Sequence, residues 1–478
     1  MDILFIDPPY TTLKNIPMDR GYNMGLTSLA AYVRQAGLET AVIMADLIQD
    51  TGKGFLRNLI PGSNQNLRRY AEGQHVYEQA VQDISLPVWQ GLKELVRKYK
   101  PAAVGISYIT PLKYSVAMVA RVVKEIDPAI KVIAGGFHPT FCPEDMLADT
   151  NIDFAVRGEG EIPLLSLLQE IRKPVPDYSA VPGIAYRDDS NEVHANPPSE
   201  VIKDLDTLPF PARDLVVNCD YNVRKLHAII TARGCPYTCS FCADRRLWND
   251  RVRRRSVGSV INEIEQLVKT YPVSYLDMVD GTFTYDRKYL VKFCNQLIER
   301  KIDIKWRCTA RYDNLDPELL ALMKKSGCSG MYFGLESGSD DMLKTMDKKF
   351  TVDAIIKVSR QVRESGIPCS TSILFGLPEE TPADARATLE LMKRVKTDLF
   401  DINSFIPLPG TIAWDLMDQE QRARIDWLKV GYKSFDNYFS NTMSKEEFSG
   451  YLQEAYRISE STRRKTVARF VLKRLIGK

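Results

Sequence analysis

The sequence predicts an α/β protein in which a doubly wound, Rossmann-like domain precedes a partial (β/α)6 TIM-like barrel and a helical C-terminal extension. Two observations lead to this fold class. Short apolar segments alternate with amphipathic helical patterns up to about residue 172, which is typical of a parallel sheet with helices on both faces. A second alternating series begins at His227, and the remainder from about residue 413 has a helical pattern.

Size, charge and the N-terminus narrow the class of protein. The chain has 478 residues, 44% of them hydrophobic and 26% charged, which is typical of a globular protein with more than one domain. The net charge of +3 gives no strong attraction to nucleic acid, so we expect a small-molecule substrate. The N-terminus lacks the features of a secretion signal, and no apolar run approaches the ~20 residues of a membrane helix. A cytoplasmic location is therefore expected.

The first domain is predicted over residues 1–172. Its strands are expected at residues 3–6, 40–44, 103–107, 131–134 and 153–156, and Gly37 ends the first helix. Ligands of doubly wound sheets bind beyond the carboxyl ends of the strands. The strand ends that we expect to form this edge are residues 7–9, 107–111, 135–138 and 157–161.

Residues 173–226 are predicted to form a linker, because they are rich in Pro, Asp and Ser. The partial barrel is predicted over residues 227–412. Its six strands are expected at residues 228–231, 274–278, 304–309, 330–335, 369–374 and 398–403. By analogy with full (β/α)8 barrels, the carboxyl ends of these strands would carry the chemistry. Residues 413–478 are predicted to be helical.

Three cysteines follow the first barrel strand within one short segment. Cys235, Cys239 and Cys242 are separated by three and by two residues. Thiolates are the usual protein ligands of iron–sulfur clusters, commonly four of them, so three would leave one iron open for a substrate. A structural zinc ion would need a fourth ligand, and no histidine follows Cys242. The odd total of nine cysteines argues against a disulfide framework.

The segment Cys235-x3-Cys239-x-Phe241-Cys242 resembles the signature of the radical S-adenosylmethionine (SAM) superfamily. The resemblance implies a [4Fe–4S] cluster on the three cysteines, with SAM chelating the open iron. It also implies that Phe241 lies near the adenine. A low-potential donor such as ferredoxin or flavodoxin would supply one electron, and the 5′-deoxyadenosyl radical that results would abstract hydrogen from a substrate.

Other predicted strand ends of the barrel resemble cofactor-binding segments of the same superfamily. Glu336 and Ser337 resemble the segment that contacts the ribose and the methionyl amine; a solvated strand end is the alternative. Asp280 stands where the family contacts the amino group, although Gly281 replaces a second acid that is common there. Arg311 could meet the cofactor carboxylate, and a surface salt bridge is equally expected.

The first domain resembles that of cobalamin-binding radical enzymes, of the anaerobic magnesium-protoporphyrin cyclase and C-methyltransferase kind. Residues 7–9, 135–140, 157–161 and 205–213 carry this resemblance. It implies cobalamin as a further cofactor. The implied contacts are Ser107, Thr110, Gly135, Gly136 and Glu159. No histidine lies in the Asp-x-His-x-x-Gly context that ligates cobalt in mutases, and plain turns are the alternative role of the glycines.

We therefore predict a cobalamin-dependent radical SAM methyltransferase that acts on an unactivated carbon. One alternative is a cyclase or rearrangement enzyme acting on a tetrapyrrole, lipid or natural product. A second, of another class, is a non-catalytic iron–sulfur or cobalamin-binding module. A methylthiotransferase would need three N-terminal cysteines for a second cluster, but the first cysteine is Cys142.

The C-terminal segment from Arg463 to Lys478 alternates basic and apolar residues. This pattern predicts a basic amphipathic helix that contacts a membrane surface or an acidic partner. A helix packed on the barrel is the alternative.

Overall fold

A computed structural model of the chain describes residues 1–14, 23–48, 67–219 and 226–476, and only the backbone of residues 67–73, 226 and 473–476. The described residues form a seven-stranded sheet, a six-stranded sheet and a separate two-stranded ribbon. Both large sheets are built mainly from parallel strands with intervening helices. The predicted fold class is confirmed.

The first sheet has the strand order β2-β1-β3-β4-β5-β6-β7. The first five strands are parallel and are β1 (Ile3–Asp7), β2 (Thr40–Met44), β3 (Ala103–Ser107), β4 (Lys131–Gly135) and β5 (Phe154–Val156). Alternate residues of β1 face opposite sides: Leu4 and Ile6 join one apolar cluster, Ile3 and Phe5 another. Burial on both faces explains why these strands are continuous apolar runs.

The described residues of this domain form seven α-helices. They are α1 (Met24–Gln35), α2 (Leu67–Ala80), α3 (Pro87–Tyr99), α4 (Lys113–Ile126), α5 (Phe137–Phe141), α6 (Pro143–Leu147) and α7 (Glu161–Ile171). Trp89 of α3 and Val119 of α4 cover one face of the sheet, while Val33 of α1 and Leu167 of α7 cover the other. The carboxyl ends of β1, β3, β4 and β5 form one edge, the carboxyl edge.

The segment 173–226 adds two strands to the first sheet. These are β6 (Ile184–Arg187) and β7 (Val193–Ala195), and both pair antiparallel. Ile184 and Ala185 are fully buried against β5, and their burial fixes this part of the chain to the first domain. The segment is therefore partly regular structure, although its composition is that of a connector.

The second sheet has the order β15-β14-β13-β12-β11-β8, and all its strands are parallel. They are β8 (Leu226–Ile229), β11 (Tyr275–Met278), β12 (Lys305–Ala310), β13 (Cys328–Glu336), β14 (Cys369–Phe375) and β15 (Leu399–Ser404). The helices between them are α9 (Val257–Thr270), α10 (Arg287–Glu299), α11 (Pro317–Lys325), α12 (Asp340–Thr345), α13 (Val352–Ser365) and α14 (Pro382–Arg394). Six parallel strands with outer helices are the partial barrel that the sequence predicts.

A short excursion after β8 carries the ribbon. It consists of β9 (Ala232–Arg233), the helix α8 (Asp244–Leu247) and β10 (Arg253–Arg254), which pairs antiparallel with β9. Beyond the barrel, the chain forms α15 (Ile412–Asp415), α16 (Gln419–Ala423) and the long α17 (Lys445–Ile476). Phe448, Leu452 and Ala455 of α17 are buried against the barrel. No helix within the described ranges combines the length and apolarity needed to cross a bilayer.

Candidate cofactor site

The three cysteines of interest lie in one loop, residues 234–242 (the cysteine loop), between β9 and α8. Gly234 opens the loop with a φ of +90°, and a Cβ at this position would overlap the carbonyl oxygen of Arg251. Only glycine fits this conformation and this close approach. The amide of Cys242 donates to the carbonyl of Cys239 over 3.1 Å. The structure thus places the three cysteines on one short loop, with Cys239 and Cys242 on the same turn.

The three thiols are free to bind a metal. None of them is in a disulfide, and Cys242 is exposed. Burial raises the pKa of Cys235, so its thiolate needs a nearby positive charge, which a metal would supply. Iron–sulfur clusters are held by thiolates of this kind.

Asp280, predicted as a cofactor contact, binds the backbone that precedes the cysteine loop. Its Oδ1 accepts hydrogen bonds from the amides of Thr231 (2.7 Å) and Ala232 (3.1 Å), and its Oδ2 accepts from the Thr231 hydroxyl. The side chain is buried, and burial raises its pKa. Both carboxylate oxygens are therefore engaged in fixing the start of the loop.

Gly281 explains why a second acid is absent here. A Cβ on Gly281 would lie 3.3 Å from the Cβ of Cys235 and 2.5 Å from Oδ2 of Asp244. Asp244 accepts a hydrogen bond from the Trp248 indole over 3.1 Å, while its buried Oδ2 has no partner within the described ranges. Burial raises the pKa of Asp244. No pattern in the sequence points to this buried carboxyl group beside the loop.

Arg311 is buried, so it is not a surface salt bridge. Its guanidinium donates to Asp313 over 3.0 and 2.8 Å and to the carbonyl of Lys348. It also lies 3.5 Å from the ring centroid of Tyr237 in the cysteine loop. Burial opposes the charge of Arg311, but the hydrogen bonds with Asp313 outweigh it and raise the pKa. Arg311 thus stacks against the loop from the barrel side.

Glu336 and Phe241 meet around a lysine that the sequence did not single out. Glu336 ends β13 with a φ of +71°, a conformation uncommon for residues other than glycine. Its Oε2 accepts from the Ser372 hydroxyl over 3.0 Å, and its Oε1 lies 3.3 Å from Nζ of Lys348. The same Nζ lies 5.7 Å from the ring centroid of Phe241. The structure therefore joins the end of β13 to the cysteine loop through Lys348.

Ser337 is fully buried. Its hydroxyl lies 3.2 Å from the hydroxyl of Thr388 and accepts from the amide of Ser339 over 3.2 Å. The side chain thus links the start of α12 to α14.

At the carboxyl edge of the first sheet, Thr110 is bound to a histidine. The Thr110 hydroxyl lies 3.1 Å from Nδ1 of His138, and Nε2 of His138 lies 2.9 Å from Asp145. The ring of Tyr108 stacks on His138 at 4.5 Å. The hydrogen bond from His138 lowers the pKa of Asp145 to about 2. Both ring nitrogens of His138 are therefore engaged within the protein.

Ser107, Gly135 and Gly136 lie side by side on the carboxyl edge. Ser107 pairs directly with Gly135 across β3 and β4. Gly136 has a φ of +116°, and a Cβ there would lie 2.8 Å from the carbonyl oxygen of Tyr108. The chain between β4 and α5 can therefore turn closely over β3 only with glycine at this position.

Glu159, also predicted as a cofactor contact, forms ion pairs with the ribbon. Its Oε2 accepts from Arg233 over 2.8 Å, and its Oε1 pairs with Arg253. Glu161 pairs with Arg233 as well. The carboxyl edge of the first sheet is thus in direct contact with the strand that leads into the cysteine loop.

Comparisons with known proteins agree with this geometry. Residues 229–392 match the family model of the radical SAM superfamily, and residues 66–168 match that of the B12 binding domain. The first match contains the cysteine loop, Glu336 and Phe241. The second contains the strand ends at Ser107 and Gly135.

Relatives and solved structures share both parts. An uncharacterized methyltransferase of Pyrococcus horikoshii is 28% identical over 370 residues, which are 76% of this chain and 80% of the relative. The anaerobic magnesium-protoporphyrin IX monomethyl ester cyclase of Rubrivivax gelatinosus is 30% identical over 327 residues, 66% of this chain and 59% of the cyclase. The fold is similar to that of the radical SAM methyltransferase TsrM of Kitasatospora setae, solved with cobalamin and a [4Fe–4S] cluster (TM-score 0.63, 19% identity, 86% of this chain and 77% of that chain).

These two matches in one chain imply a cofactor set of a [4Fe–4S] cluster, SAM and cobalamin. The chain therefore combines a radical SAM domain with a B12-binding domain, the combination expected of a radical SAM enzyme that uses cobalamin.

Proposed function

We propose that this enzyme is a cobalamin-dependent methyltransferase that methylates an unactivated carbon of a small or medium organic molecule. One observation carries the proposal. The carboxyl edge of the B12-binding domain contacts the strand entering the cysteine loop, through Glu159 and Arg233 at 2.8 Å. A methyl donor on that edge and a radical source on that loop would then face one substrate.

The residues present fit this cofactor set. We propose that Cys235, Cys239 and Cys242 hold the cluster, and that Phe241 and Glu336 contact SAM. When bound, the cluster and SAM supply the 5′-deoxyadenosyl radical, and cobalamin supplies the methyl group. Glu336 is buried and offers acceptor oxygens for hydroxyl or amino groups.

The remaining predicted residues of the barrel act on the loop in this proposal. Asp280 fixes the backbone of Thr231 and Ala232, and Arg311 fixes the ring of Tyr237. We therefore assign Asp280 and Arg311 as positioning residues. Ser107, Thr110, Gly135 and Gly136 remain candidate contacts for cobalamin, with the two glycines allowing a ligand to approach the backbone.

The alternative function, that of a cyclase, would use the same cofactors and the same residues. The relative from Rubrivivax gelatinosus is a cyclase, so radical-driven ring closure is the second candidate function. The two differ in the fate of the methyl group of SAM, because methylation leaves S-adenosylhomocysteine and ring closure does not.

Anaerobic reconstitution tests the proposal. The protein is loaded with iron, sulfide and hydroxocobalamin, and then receives SAM and a low-potential reductant. We expect bound corrin and 5′-deoxyadenosine. Cys242→Ser should abolish 5′-deoxyadenosine, while Cys219→Ser, outside the loop, should retain it. A fully loaded protein that makes no 5′-deoxyadenosine would refute the radical chemistry, and absence of bound corrin would refute the methyl transfer alone.

Partners and location form the last part of the proposal. We propose a cytoplasmic enzyme that takes its electron from ferredoxin or flavodoxin and touches membranes through the end of α17. Phe470, Val471 and Leu472 are 40%, 51% and 59% exposed there, among basic residues. Sedimentation with anionic liposomes at low salt should pull down the protein, and Phe470→Ser should weaken this. Equal sedimentation of both proteins, or of neither, would contradict the membrane contact.

A further inference from the structure

The ribbon formed by β9 and β10 presents two arginines to the B12-binding domain. Arg233 and Arg253 are register partners in this antiparallel pair. The ribbon has only two strands, each two residues long, and an isolated pair of strands is barely stable by itself. Its orientation therefore depends on what its side chains bind.

The two arginines bind two carboxylates that follow β5, Glu159 in the loop and Glu161 at the start of α7. Arg233 donates to Oε2 of Glu159 (2.8 Å) and to Oε2 of Glu161 (3.3 Å), with a second contact to Glu161 through its other terminal nitrogen. Arg253 pairs with the remaining oxygen of Glu159 and donates to the carbonyl of Ile202 over 2.6 Å. The four residues form a chain of ion pairs with two positive and two negative charges.

This set is shielded from water. Both glutamate side chains are 4% exposed, and the arginine side chains are 10% and 11% exposed. Trp248 covers the Arg233 guanidinium with its ring centroid at 5.2 Å. Arg233 and Glu161 are joined by two hydrogen bonds, and a buried pair of this kind has one defined geometry, unlike exposed pairs, which exchange with water.

The four ion-paired residues connect the two proposed cofactor sites. Arg233 is two residues before Cys235, and at Gly234 between them a Cβ would overlap the carbonyl oxygen of Arg251. Glu159 and Glu161 lie on the carboxyl edge, where the B12-binding domain would hold its ligand. Movement of either carboxylate would therefore be passed to the cysteine loop through a single intervening residue.

We infer that Glu159 and Glu161 are positioning residues that hold the cysteine loop in fixed register with the carboxyl edge of the B12-binding domain. This inference rests on the proposed function, in which both cofactors must face one substrate. Misplacement of reacting groups by about 1 Å can lower the reaction rate about 100-fold, so holding the two cofactor sites in register would preserve the rate.

The test compares Glu161→Gln and Arg233→Lys with a matched control. Glu161→Gln keeps the shape and removes one charge; Arg233→Lys keeps the charge and removes the planar fork. The control is Glu263→Gln, which disturbs an equally buried set in which Glu263 pairs with Arg213 and Arg255. All four proteins are first measured without cofactors, by hydrogen–deuterium exchange of the amides of residues 234–242.

We expect exchange in the cysteine loop to be about tenfold faster in Glu161→Gln and in Arg233→Lys, and unchanged in Glu263→Gln. The loaded proteins are then reduced, and the spin–spin interaction between cob(II)alamin and the cluster is recorded by electron paramagnetic resonance. A single interaction is expected in wild type and control, and a broadened one in the two test variants.

Loop exchange like that of wild type in both test variants would overturn the inference, as would equal acceleration in the control. If Glu161→Gln does not fold, Arg233→Lys decides alone. Failure of the proposed function is distinguishable, since it appears as missing corrin or missing 5′-deoxyadenosine in the wild-type protein. The exchange measurement on cofactor-free protein is independent of that outcome.

Discussion

Substitutions of Asp280 test whether this residue binds the cofactor or positions the cysteine loop. In Asp280→Ala, two backbone amides and the Thr231 hydroxyl lose their acceptor. A buried donor left without a partner costs about 1–3 kcal/mol, so the three together predict a loss of about 3–9 kcal/mol in the free energy of unfolding. Asp280→Asn can keep its carbonyl oxygen toward the amides and donate to the Thr231 hydroxyl, so we expect a loss of only about 1–2 kcal/mol.

The assay measures urea unfolding, iron content after reconstitution and the Kd of SAM. We expect Asp280→Ala to lose most of its iron, and Asp280→Asn to keep both its cluster and its SAM affinity within about threefold, a change of under about 1 kcal/mol. Asp277→Asn, on the strand that precedes Asp280, is the control, because Asp277 forms an exposed ion pair with Arg307 and should change little.

A loss of SAM affinity without a loss of iron would contradict the positioning role of Asp280. If Asp280→Asn kept its cluster but bound SAM more than about tenfold more weakly, the carboxylate would be touching the cofactor. In that case the hydrogen bonds to Thr231 and Ala232 would be incidental to its role.

Three further predictions concern the same region and the barrel. Gly234→Ala should lower the free energy of unfolding by about 1–3 kcal/mol and reduce the iron content, because the positive φ of Gly234 and the close carbonyl oxygen of Arg251 exclude a methyl group. Gly258→Ala should not reduce the iron content, and equal iron content in the two variants would contradict this prediction. Lys348→Met should weaken SAM binding about tenfold with iron content unchanged, whereas exposed Lys349→Met should leave affinity unaltered; equal affinities would argue against a role for Lys348. Burial raises the pKa of Glu380 to about 8, so the folded protein keeps a proton that the unfolded chain releases above its ordinary pKa. Stability should therefore fall by up to about 1.4 kcal/mol per pH unit between about pH 5 and 8, and this slope should be absent in Glu380→Gln; parallel urea-unfolding curves against pH would contradict it.

The fold could be predicted because its strands are short apolar runs between amphipathic helices. Both patterns are local, so they can be recognised in the sequence without knowledge of tertiary contacts. The strands β6 and β9 escaped prediction for different reasons. β6 lies in a segment rich in turn-forming residues, and only its pairing with β5 makes it a strand. β9 has two residues, too few for any periodicity to appear.

The candidate site was predictable where its residues are close in sequence. Cys235, Cys239 and Cys242 are recognisable from spacing alone. Lys348 and Arg233 were not, because a charged residue is exposed by default and its buried partner lies far away along the chain. Arg233 is 74 residues from Glu159, and no local sequence pattern around either residue predicts that they form an ion pair.

The most direct test of the central claim is to quantify 5′-deoxyadenosine and S-adenosylhomocysteine in one incubation of reconstituted wild-type protein with SAM and reductant, with and without hydroxocobalamin. We predict 5′-deoxyadenosine from the intact cluster and S-adenosylhomocysteine only when corrin is bound. Production of 5′-deoxyadenosine without corrin-dependent S-adenosylhomocysteine would contradict methyl transfer, and production of neither by fully loaded protein would contradict both the radical chemistry and the methyl transfer.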